Sequence, residues 1–96
     1  MILQLSSVTS GTVTATNTQQ DLILIHDAGL TVALTVALPA NPADGQLFVI
    51  CSANGITSLS LTAVVGSILS TLTGMAAGGN GTWLYSKQNN KWYRVR

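Results

Sequence analysis

An imidazole beside a carboxylate is common raw material for acid–base chemistry, and this chain offers that pairing once, at His26-Asp27. Neighbouring residues of a strand point to opposite faces. The two side chains therefore do not converge on one substrate atom, as a general base and its orienting carboxylate must. The pair reads as a strand-end histidine followed by a turn aspartate. Serine is plentiful, but no Gly-x-Ser-x-Gly elbow presents one as a nucleophile. Cys51, the single cysteine, lies in an apolar run where a thiol packs as a small hydrophobe. It excludes an internal disulfide and fits a reduced compartment. One His, one Cys and three separated Asp make no ligand cluster, so no metal is expected. Gly78-Gly79-Asn80-Gly81 lacks the lysine and following helix of a phosphate-binding loop and reads as a flexible surface loop. The chain is expected to have no catalysis and no cofactor of its own.

The remaining chemistry sits at the C-terminal end. Trp83, Tyr85, Trp92 and Tyr93 lie beside Lys87, Lys91, Arg94 and Arg96. Strand alternation puts Trp83 with Tyr85 on one face, Trp92 with Arg94, and Tyr93 with Val95. Aromatic platforms with basic neighbours stack on sugars or nucleobases, and these four aromatics are the candidate glycan contacts. The competing reading is burial, since an aromatic side chain is worth a few kcal/mol (~1.5–3) in a core. Four cations are few for nucleic-acid affinity, which grows with the number of phosphates neutralised. No nucleic-acid partner is expected.

The elements that would position these residues follow from composition and period. Ninety-six residues make one domain, 1–96, with room for a single core. Only 7% of residues are charged, against about 25% in a usual soluble domain. So neutral a surface favours association, and part of it is expected to be covered by copies of the same chain. No apolar run approaches the roughly 20 residues of a membrane helix, and Met1-Ile-Leu-Gln-Leu5 lacks the features of a signal peptide.

No stretch has helical periodicity. β-Branched residues are abundant and turn formers recur every eight to twelve residues or so, the spacing of an all-β sandwich or barrel. Strands are expected over Met1–Leu5, Thr12–Thr16 (an edge or outer strand), Asp21–His26, Leu30–Leu38, Gln46–Ala53, Ile56–Ala63, Ser67–Thr73, Thr82–Ser86 and Lys91–Arg96. Asp21–His26 and Gln46–Ala53 are apolar on both faces, which predicts strands covered on both sides. Along Leu30–Leu38, alternation assigns Leu30, Val32, Leu34, Val36 and Leu38 to the core. Thr31, Ala33, Thr35 and Ala37 then form a small, uncharged second face suited to a subunit contact. Asn54-Gly55 is a hairpin signal, and Leu-Thr-Val-Ala, repeated in Leu30–Leu38, is too short to be an architectural repeat.

The order of these signals resembles something familiar. An alternating strand ends in Leu38-Pro39, followed by Asn41-Pro-Ala-Asp-Gly-Gln46, an apolar strand, Asn54-Gly55 and a Ser/Thr-rich strand. A Gly81-Thr-Trp83 hairpin then closes in Asn89-Asn-Lys-Trp-Tyr93. From Leu22 to Arg96 this is similar to small β-domains of bacteriophage tail fibres, tail spikes and head fibres. The resemblance implies a non-catalytic virion structural or adhesion module, assembled as a homotrimer in the host cytoplasm and contacting other virion proteins. Such domains usually sit within a much longer fibre, and this chain contains no shaft or coiled coil; a free-standing virion protein and a fragment both fit. The expected fold is a small antiparallel β-sandwich of jelly-roll type with eight or nine short strands. A carbohydrate-binding module, using the terminal aromatics on a cell-surface glycan, is the alternative function.

Overall fold

The computed structural model describes residues 2–64, 66–69 and 73–96. Met1, Val65 and residues 70–72, which belong to the expected strands Met1–Leu5 and Ser67–Thr73 and the bend between strands, lie outside them. Nine strands form: β1 (Ile2–Ser6), β2 (Ser10–Thr14), β3 (Leu22–His26), β4 (Thr31–Ala37), β5 (Leu47–Ser52), β6 (Ile56–Thr62), β7 (Ser67–Leu69), β8 (Asn80–Ser86) and β9 (Lys91–Arg94). There is no helix among the described residues, and so none long and apolar enough to cross a membrane.

The all-β expectation holds, and the antiparallel jelly-roll does not. The strands divide into a six-stranded sheet, in the order β1-β3-β5-β8-β9-β7, and a three-stranded sheet, β2-β4-β6. β1, β3 and β5 run parallel, as do β2, β4 and β6. Each successive strand pair thus makes one rung of a solenoid-like arrangement, with one strand in each sheet. The final hairpin β8-β9 adds the antiparallel pairs, and β7 lies parallel to β9.

The reason lies in the corners. Asn54-Gly55 does not reverse the chain within a sheet; with Gly55 at φ 94° it carries β5 over into β6 of the other sheet. The Ser52 hydroxyl accepts the Gly55 N–H, and the Asn54 amide reaches the Ala28 carbonyl in the corner of the rung below. Corners at the opposite end are joined in the same way. Gln46, buried, donates to the Thr18 carbonyl and accepts from Ala43 N–H, while Asp21 accepts from Leu47 N–H. Side-chain amides and carboxylates therefore hold one turn on the next.

Parallel register stacks like on like. Ile2, Leu22, Phe48 and Trp83 form one inward row across the larger sheet. From the smaller sheet come Val13, Val36 and Leu61 in one row and Leu34 and Leu59 in another. Trp92 closes the core between Phe48, edge-on at 6.4 Å, and Tyr85 at 5.2 Å.

Alternation fails in one informative place. In β4, Thr31 is buried, Val32 and Ala33 are exposed, and Leu34 is buried; in β6 the paired residues Ile56, Thr57, Ser58 and Leu59 repeat that pattern. The strands change face at the same level in both rungs. Leu30 and Val32, expected in the core, are 68% and 67% exposed. Thr31 takes their place inside because its hydroxyl has a buried partner there.

Candidate functional site

That partner is His26. Ser6, His26 and Ser52 occupy one inward row of the larger sheet, and all three are buried. Thr31 Oγ1 donates to the Gly29 carbonyl at 3.1 Å, leaving its lone pairs for His26 Nε2 at 2.7 Å. His26 Nδ1 then accepts from the Ser6 hydroxyl at 3.2 Å, whose oxygen also receives Val8 N–H. These contacts assign the neutral Nε2–H tautomer. Desolvation by burial holds the imidazole below its ordinary pKa of 6.5, which keeps it neutral.

A serine hydroxyl on an imidazole is the geometry of an activated nucleophile. Here both groups lie inside the first turn of the chain, and the hydroxyl is held by two neighbours. The relay fixes the corner that carries β3 into β4. Asp27 points away from it and is exposed, as expected of adjacent strand positions. With Leu5, Ser6, Ser7 and Ile25 it lines a shallow, open pocket of about 340 Å³ at the end of β1 and β3. Sequence reasoning missed Ser6 and Thr31, since nothing about a serine 20 residues before a histidine signals contact until parallel register is known. Among the described residues no three His, Cys, Asp or Glu side chains gather as metal ligands.

The candidate glycan contacts are placed unambiguously. Trp83 and Trp92 have no exposed surface and Tyr85 is buried, so none of the three presents a ring to a sugar. They face inward because β8 and β9 supply the core with its largest side chains. Neither indole N–H has an acceptor among the described residues. Tyr85 donates its hydroxyl to Asn90 Oδ1. Tyr93 is half-buried on the other face and its hydroxyl accepts from the Asn89 amide.

The expected subunit face fares differently along its length. Thr31 is wholly buried and cannot meet another chain, Ala33 is exposed, and Thr35 and Ala37 are half-buried. A much broader uncovered face lies on the larger sheet. The smaller sheet covers only its inner side. On the outer side Ile23 and Ile25 of β3, and Leu47, Val49 and Cys51 of β5, are half-exposed. The expectation that these strands are covered on both sides is therefore not met within the chain. Register extends the face sideways: Leu3, Ile23, Val49 and Thr82 form one row, and Leu47, Leu84, Tyr93 and Leu69 another. Leu5 and Val95 add exposed apolar surface. Lys91, Asp21 and Asp27 lie only at its margins, so an uncharged centre is ringed by polar groups, the anatomy of a protein–protein contact.

No protein-family model, curated protein or solved structure matches this chain.

Proposed function

We propose that the chain is a non-catalytic structural module of phage-virion type, working as part of a fibre, spike or capsid decoration by assembly with copies of itself into a homotrimer. The observation that carries this reading is the outer face of the six-stranded sheet. Strands about 4.8 Å apart and about five residues long give six strands a face of roughly 29 by 17 Å, or about 500 Å² per copy. Two such faces together reach the ~1,000 Å² at which specific interfaces begin. A patch approaching that size on a monomer is often a functional contact surface. The phage assignment and the three-fold arrangement rest on the resemblance of the Leu38–Gln46 and Gly81–Tyr93 segments, with other virion proteins as the further partners.

Sedimentation equilibrium tests the reading. The expected mass is a multiple of three 10.0-kDa protomers, and Val49→Lys, placing a charge at the centre of the face, lowers it threefold. A monomer at micromolar concentration overturns it.

A further inference from the structure

The solenoid-like stack has two sheet edges at its first rung, and they are treated differently. Backbone groups of a strand alternate in direction, so a strand paired on one side leaves every second residue aimed at the other. In β2, Ala15 N–H goes to Ala37 of the neighbouring rung, which turns Thr14 and Thr16 to the open side. There the Gln4 side chain meets them, donating to the Thr14 carbonyl at 2.9 Å and accepting Thr16 N–H. One side-chain amide stands in for a missing strand and caps the C-terminal end of that edge.

Among the described residues β1 has no such cap. Ile2 N–H goes to Asp21 and the Ser6 carbonyl accepts Asp27 N–H, both towards β3. Leu3 and Leu5 therefore aim their N–H and C=O groups at the open edge, with side chains 59% and 70% exposed. Natural edge strands are usually guarded by a charge, a proline or a bulge; Ile2-Leu-Gln-Leu-Ser6 carries none of these.

We propose that β1 is a docking edge for the β1 strand of a second copy, paired antiparallel about a two-fold axis through Gln4. In that register Leu3 of each chain lies opposite Leu5 of the other and exchanges both main-chain hydrogen bonds with it. The two-fold repeats the exchange, and the leucine side chains meet in cross-strand pairs on the outer face. The strand is self-complementary in this arrangement, and with no charge along it a second copy brings no repulsion. The contact continues the larger sheet from one copy into the next. It lies along the open edge of that sheet, with the Leu3 and Leu5 side chains at the margin of the face of the proposed function, and its main-chain pairing stands whether or not that face packs.

The test is made on the full chain. Sedimentation gives the mass of the unaltered protein and of Leu5→Pro, whose lost N–H is one that β3 does not use. The expected result is a mass that halves in Leu5→Pro. Val49→Lys, which acts on the face alone, leaves the edge pair intact as a dimer. Amide exchange by NMR on the unaltered protein keeps the test independent of how the proline variant folds. Leu3 and Leu5 amides are expected to be protected at high concentration and to exchange at least tenfold faster on dilution below the dissociation range. Leu3 and Leu5 amides that exchange as freely as an unpaired strand at every concentration overturn the proposal. So does concentration-independent protection, which would mean an edge covered by another segment of its own chain. Failure of the face reading shows instead as a dimer in the unaltered protein that Val49→Lys does not change.

Discussion

His26 Nε2 and Thr31 Oγ1 lie 2.7 Å apart inside the corner between the two sheets, and that single contact explains why a threonine is buried while the valine and leucine beside it are exposed. Replacing Thr31 by valine keeps the shape and removes the acceptor. A buried donor left unsatisfied costs about 1–3 kcal/mol. In a domain of this size each kcal/mol moves the melting temperature by about 4–8 °C. Calorimetry of Thr31→Val is expected to show a loss of that order, and Val32→Thr, on the exposed side, a negligible change.

The same imidazole makes stability depend on pH. Its folded pKa lies below the 6.5 of the free side chain, so between those two values the unfolded chain binds a proton that the folded chain does not. Stability therefore rises with pH through that window, is fully present above 6.5, and falls on acidification. Melting curves from pH 7.5 down to pH 5 are expected to show a steady decline. In His26→Gln the protein is less stable at pH 7.5, but this part of the decline disappears.

Buried indoles give a direct check on the terminal aromatics. With Trp83 and Trp92 fully enclosed, tryptophan emission is expected to be blue-shifted, poorly quenched by iodide and unchanged by added sugars. Strong iodide quenching in the folded protein would contradict this placement of β8 and β9.

Gly66 holds the entry to β7 against the last turn. Its φ is 73°, and a β-carbon there would overlap the carbonyl of Asn90. Left-handed backbone alone costs a side chain about 1–2 kcal/mol, and the overlap adds to it. Gly45, at φ 80°, has open space around the same position. Gly66→Ala is expected to be clearly more destabilising than Gly45→Ala in urea unfolding, the difference measuring the contact with Asn90.

Much of the fold was legible from period-two alternation and turn formers, which locate the nine strands and the closing hairpin, and identify β2 as an edge or outer strand. What alternation does not contain is the identity of each strand's neighbour. Asn54-Gly55 has the same local chemistry whether it folds a strand back beside itself or carries it across to a second sheet. The rungs also differ in length: Ile2 stacks beside Leu22, and Leu22 beside Phe48, separations too unequal to show as a repeat. For the site, lack of charge alone points to Thr31, Ala33, Thr35 and Ala37 as a contact face, whereas the larger uncovered face belongs to β3 and β5, whose two-sided apolarity predicts cover on both faces. Both readings start from the same property, a face without charge, and only the position of the second sheet separates them.

The inward rows bear on how the chain is made. β3 lies down beside β1 and β5 beside β3, so each rung can be added on one that has already left the ribosome, in the order of synthesis. The side chains that fill the middle arrive last, because Trp83, Tyr85 and Trp92 all belong to the final hairpin. Until those residues emerge, Phe48 and Leu22 have a scaffold but no lid. A chain released just before Trp92 is therefore expected to hold its rungs only loosely and to be degraded, even though eight of its nine strands are already complete.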